Sequence, residues 1–235
     1  MAHTAPIATI AEMNTETLEQ VANAAADIVA AMQSFAEAGS NIVLEVLQGA
    51  PFVELEHYPP GDICDPENGS QYYFHAHPPA RPSYSDFGHF HLFLRPEKAG
   101  GVDGFSRSRD DKTICHLAGI SVDQRGFPVG LFTTNRWVTD EAFYTAEDTI
   151  AMLDRFRIEG PVPAPAVNLW VSAVPVVYRA DIEALIRERD VAIEAWRREH
   201  PERDVFEDRR LEVVSWKKID LEARLAEIRE ALDLE

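Results

Sequence analysis

Two short stretches carry residues that could do chemistry. "GSQYYFHAHPP" (69–79) holds His75 and His77, and "GHFHLFLRP" (88–96) holds His89 and His91. Six of the chain's eight histidines fall between residues 57 and 116. Neutral imidazole is a ligand for zinc, iron and copper. Side chains alternate along a strand, so the two histidines of each pair share a face, their Cα atoms roughly 6.5–7 Å apart. If the two strands are neighbours, four imidazoles line one face and offer three or four nitrogen ligands. His75, His77, His89 and His91 are therefore the expected metal ligands, and the expected cofactor is a divalent transition metal: Fe, Zn or Cu. Zinc would favour hydrolysis through an activated water, and iron or copper would favour oxygen chemistry. Without a metal, the same imidazoles could act as acid/base pairs of a hydrolase, or line the aromatic pocket of a non-catalytic protein that binds a small ligand. A single histidine would read as a half-buried strand residue bonded to a tyrosine or to water. Two pairs this close favour a metal or catalytic site.

Three further residues are candidate catalytic groups: His116, Asn135 and Arg136. "GLFTTNRWVT" (130–139) ends an apolar strand in polar groups suited to orienting a substrate, and Arg136 could clamp a carboxylate with two hydrogen bonds. A strand-end arginine paired with a surface acid is the equally weighted alternative. "DQRG" (123–126) reads as a tight hairpin with Asp123 opposite Gly126. That register sets His116 against Thr133, and puts His116, Thr133 and Asn135 on one face with Cys115, Thr134 and Arg136 on the other. A bulge at Gly126 would reverse the assignment. His57 is an additional candidate, while His3 and His200 read as solvated.

The elements that must hold these residues follow from periodicity. Asn14 and Thr15 can cap a helix in which Leu18, Val21, Ala25, Ile28, Met32 and Phe35 recur at helical spacing until Gly39. "YPPGDICDPENGS" (58–70) reads as loop. Aromatic and β-branched runs at about 71–77, 88–95, 113–122 and 127–138 predict an antiparallel sheet. "RRLEVVSW" (209–216) is a possible further strand. "PPARPSYSDF" and a Gly- and charge-rich stretch (97–111) join the earlier strands. From residue 145 the pattern is mainly helical, with a Pro-rich connector at 160–166. Together these predict an α+β fold: an antiparallel sheet of about four to five strands between N- and C-terminal helices. Residues 1–13 form a flexible N-terminus, and 14–235 form a single domain with a helical C-terminal half.

Composition narrows the function classes. The chain has 235 residues and a net charge of −18, and the first basic residue is Arg81. A surface this acidic repels phosphate backbones and anionic lipid, so neither nucleic acid nor membrane is an expected partner. No apolar run approaches the roughly 18 residues of a membrane helix. Two cysteines, Cys64 and Cys115, imply no disulfide framework. The expected location is the cytoplasm and the expected partner a small-molecule substrate or ligand. Composition sets no oligomeric state.

Gly69, five residues, then His75-Ala-His77 matches the opening of the cupin metal motif, but no glutamate follows at its interval, where Arg81 and Pro82 stand, and Thr133 occupies the second-motif histidine position. "GHFHLF" is similar to the strand of the histidine-triad hydrolases, with Phe87 at the first of three histidine positions and His89 at the middle one. The motifs "HYPPGD", "GSQYYFHAHP", "GHFHLFLRP", "GLFTTNRWVT" and "MLDRF" together resemble a bacterial domain-of-unknown-function family over residues 50 to 215. Its members often carry a further histidine where this chain has Phe87, which implies one fewer ligand or catalytic group here. The resemblance implies no established chemistry, so function is read from the residues themselves.

Overall fold

The computed structural model describes residues 10–77, 86–96 and 114–233. The two joining stretches named above therefore lie mostly outside the described residues, as do residues 1–9 with His3. Helix α1 (Thr15–Glu37) starts where the Asn14 side chain accepts from the Thr17 N–H, and it buries Leu18, Val21, Ala25, Ile28 and Phe35. The short α2 (Ile42–Leu47) follows a turn at Gly39 (φ +68°).

The next five strands run as a meander: β1 (Tyr58–Cys64), β2 (Ser70–His75), β3 (Gly88–Leu94), β4 (Cys115–Val122) and β5 (Pro128–Thr134). With β6 (Val213–Lys218) they form one antiparallel sheet in the order β1 to β6. The helical half comprises α3 (Arg136–Thr139), α4 (Ala146–Leu153), α5 (Pro165–Val177), α6 (Arg179–Glu199) and α7 (Leu221–Ala231). The α+β architecture is as expected, with six strands rather than four or five. No described helix is long and apolar enough to cross a membrane.

The sheet has two unlike faces. Tyr72, Phe74, Phe90, Leu92, Ile120 and Leu131 sit on the first, all fully buried. Trp170 of α5 packs on Phe90 with ring centroids 5.5 Å apart, and Asn168 accepts from the Tyr72 hydroxyl at 2.8 Å. Helix α6 closes the β6 end, where Ser215 donates to the Leu185 carbonyl. Because one face satisfies the apolar core, the other is free to carry polar side chains, and that is where the histidines lie.

Three local expectations are corrected. The stretch expected as loop at 58–70 contains β1. Its Pro59 and Pro60 offer no N–H, which is tolerable because among the described residues β1 is an edge strand paired only to β2, across a register shift between Tyr58 and Ile63. The run expected as strand to residue 138 ends at Thr134. Asn135 accepts from the Arg136 N–H and starts the single turn of α3 instead. The hairpin register is also displaced. Gly126 adopts φ +82°, Asp123 N–H donates to the Phe127 carbonyl, and a further shift follows between Ser121 and Val122. Gly119 therefore stands opposite Phe132 and Ser121 opposite Gly130. An extra residue in β4 at Leu117 then turns His116 onto the face of Thr134, while Thr133 bonds to Ser215 beneath α6.

Candidate metal centre

Strands β2 and β3 are antiparallel neighbours, with His75 opposite His89 and Tyr73 opposite His91. The two His-x-His pairs thus meet on one face. One ring nitrogen from each of His75, His89 and His91 lies within 4.8 Å of the others, and all three side chains are buried. Three buried imidazoles in that arrangement can hold a metal ion. His77 stands just outside this tight group. Its ring centroid is 4.8 Å from that of His75 and 5.2 Å from that of His89, and it is half-buried.

The hydrogen bonds behind the rings orient them. His89 Nδ1 lies 3.0 Å from Asp86 Oδ2, and that carboxylate is itself buried. A carboxylate only accepts, so His89 carries its proton on Nδ1 and turns the Nε2 lone pair inward. His91 Nδ1 lies 3.0 Å from His116 Nε2, and His116 Nδ1 lies 3.4 Å from Thr134 Oγ1. The Thr134 hydroxyl can accept as well as donate; where it accepts from His116 Nδ1–H, His116 Nε2 accepts from His91 Nδ1–H. His91 then also presents Nε2 as a lone pair. That atom is buried and has no hydrogen-bond partner among the described residues. A buried nitrogen lone pair with nothing to accept from is costly alone and useful to a cation. His75 Nε2 and His89 Nε2 are 2.8 Å apart, a contact that needs one proton between them. An ion would replace that proton.

Burial keeps the His91 and His116 rings neutral, the form that ligation and its supporting hydrogen bonds require. Burial holds His91 well below the usual imidazole range, and the neighbouring histidines add to the effect. Burial, the Arg189 guanidinium and His89 push His116 down to about 3. Glu141 moves the other way. Burial raises its carboxyl to about 8 against the pull of Arg189 and of the His116 N–H.

Aromatic rings wall the group. Tyr73 and Phe93 stack at 5.5 Å, and Phe132 lies edge-on to both His89 and His91. Gly119 makes room for that ring: a Cβ there would overlap the Phe132 ring. We expect Gly119→Ala to destabilise the fold by about 1–3 kcal/mol, because Phe132 must move against the histidines. A denaturant midpoint unchanged from wild type would show that the ring is free to shift.

The remaining candidates are placed as follows. His116 joins the group through His91. Asn135 is fully buried, caps α3 and donates to the Val205 carbonyl. Arg136 pairs with Glu207 and lies over the Phe206 ring. At this end His89, His91 and Asn135 are all buried, and the Asn135 amide is spent on backbone groups. His57 stacks on Tyr73 with centroids 3.6 Å apart, bonds to Asp62 at 3.0 Å, and meets His75 edge-on. His200 stacks on Trp196 at the end of α6, remote from the group in the sheet. Two buried carboxyls were missed in the sequence. Asp86 lies three residues before His89 within a Pro- and Ser-rich stretch, and that spacing was the available signal. Glu141 had none, because only the β4 geometry brings it to His116.

A family model described as a domain of unknown function (DUF6969) matches residues 22–219. No curated protein and no solved structure matches the chain.

Proposed function

The chain belongs to this DUF6969 family, and we propose that it is a metal-dependent enzyme acting on a small molecule, with His75, His89 and His91 as the ligands of one divalent Fe, Zn or Cu ion. The observation that carries this reading is the buried His91 Nε2, left without a partner beside the inward nitrogens of His75 and His89. An ion bound by three neutral imidazoles supplies Lewis acidity and, for iron or copper, electron transfer. The protein's own part is orientation: Asp86 fixes His89, and the Thr134–His116 pair fixes His91. Tyr73, Phe93 and Phe132 exclude water around the rings. Three ligands rather than four would leave a bound ion able to take a substrate as well.

Elemental analysis of the purified protein, paired with assays of activated-ester hydrolysis and oxygen uptake on a small-molecule panel, tests the proposal. It expects about one equivalent of metal and a turnover that dipicolinate abolishes. Turnover that survives complete metal removal would favour the second reading, a metal-free pair of acid/base histidines. The 2.8 Å His75–His89 and 3.0 Å His91–His116 contacts support that alternative, since the rings can satisfy one another without an ion.

The Asp86 carboxylate gives a second expected result. Asp86→Asn should weaken metal binding by roughly 10–100-fold, because an amide no longer dictates which nitrogen of His89 carries the proton. Competition with a chromophoric chelator reads this directly, and an affinity equal to wild type would remove Asp86 from the site.

A further inference from the structure

The start of β4 is irregular in a way that serves the site. Leu92 stands opposite Ala118, yet Phe93 stands opposite His116, so β4 carries one extra residue at Leu117. This bulge brings the His116 ring onto the cluster face. Beside the same stretch β5 no longer serves as partner: the paired residues of β4 and β5 run from Gly119 with Phe132 to Val122 with Pro128. Residues 141 and 142 stand in for it. Ala142 N–H donates to the Ile114 carbonyl at 2.9 Å, and Glu141 Oε2 accepts from the His116 N–H at 2.5 Å. Asp140, at φ +54°, turns the chain out of α3 into this position. Glu141 is 1% exposed. A carboxyl is a poor filler for such a place, where a leucine would pack without desolvating a polar group. What the carboxyl adds is an acceptor for the His116 N–H, beyond the described β4–β5 pairs.

We propose that Glu141 is a positioning residue of the metal centre: it seats the β4 bulge, the bulge sets His116 against His91, and His116 decides which His91 nitrogen faces the ion. This inference rests on the reading of the three histidines as metal ligands. Glu141 touches no ligand, and its influence passes through the backbone of His116 to the hydrogen bond between the two rings.

The test compares Glu141→Leu, which removes the acceptor, with Glu141→Gln, whose carbonyl still accepts. The readouts are cobalt(II) affinity and the long-range ¹⁵N chemical shifts of His91 in the metal-free protein. Wild type and Glu141→Gln should hold His91 protonated on Nδ1. Glu141→Leu should show a mixture of tautomers and bind cobalt(II) roughly 10–100-fold more weakly, the usual range for groups that orient ligands. A Glu141→Leu protein with the wild-type tautomer and wild-type cobalt affinity would overturn the proposal, since a purely structural role lowers stability without moving either. If Glu141→Leu does not fold, Glu141→Asp withdraws the acceptor by one methylene and should shift both readouts the same way; an unshifted Asp variant is equally contrary. Should wild type take up no cobalt(II), the metal reading falls, while the His91 tautomer still decides the role of Glu141.

Discussion

His89→Ala should lose metal binding by on the order of a thousandfold or more, while His200→Ala should bind as wild type. The size follows from the position of His89. It sits in the middle of the group, its Nε2 2.8 Å from that of His75 and its Nδ1 on Asp86. Structural zinc sites are worth roughly 10–16 kcal/mol in total, so one ligand of three accounts for several kcal/mol. The substitution also leaves the buried Asp86 carboxylate without its imidazole, which costs about 1–3 kcal/mol of fold stability. His77→Ala should weaken binding less, since His77 lies outside the tight group. Competition titrations with a chromophoric chelator rank the variants. Equal affinities for His89→Ala and His200→Ala would put any metal elsewhere.

Glu141→Gln should stabilise the metal-free protein at neutral pH and not in acid. Glu141 has a carboxyl raised from 4.5 to about 8 by burial. A raised pKa contributes stability that is full below the unfolded value and lost as pH climbs to the folded one. Between pH 4.5 and 7, wild type therefore forfeits roughly 3 kcal/mol that a non-titrating glutamine keeps. His91 and His116 have the opposite sign. Their folded pKa values are depressed, so their contribution is present above about 6.5 and declines as pH falls below it, by roughly 1.4 kcal/mol per unit for each ring. Two rings outweigh one carboxyl, and the metal-free protein should weaken steadily in acid from pH 6.5 downward. A bound ion holds the imidazoles neutral and moves that decline to lower pH. Thermal melts of chelator-treated protein between pH 4 and 8 measure both effects. A Glu141→Gln advantage that is the same at pH 4 and pH 8 would mean that Glu141 is ionised in the fold.

The core of the site was legible because strand periodicity is local. Alternation alone put His75 with His77 and His89 with His91, and the aromatic residues between them defined the opposite face that Trp170 covers. Pairing of the two strands followed from the need to satisfy four imidazoles together. The environment of His116 was not legible in the same way. Its face depends on the added residue at Leu117, which reverses the alternation beyond it, whereas the two shifts of the β4–β5 hairpin cancel. Proline misled at β1, where Pro59 and Pro60 lie on an edge that asks for no N–H. Asn135 misled because its side chain serves both strand-end and helix-cap roles, and here it caps. Asp86 and Glu141 reach their histidines through turns and bulges for which spacing offers little or no guide.

X-ray absorption fine structure at the zinc edge of reconstituted protein bears most directly on the metal centre. About one equivalent of zinc bound by three imidazole nitrogens at roughly 2.0–2.1 Å is the expected result, with that shell absent from His89→Ala. Less than about a tenth of an equivalent after reconstitution, or a shell of carboxylate oxygens or a thiolate sulfur, would contradict it.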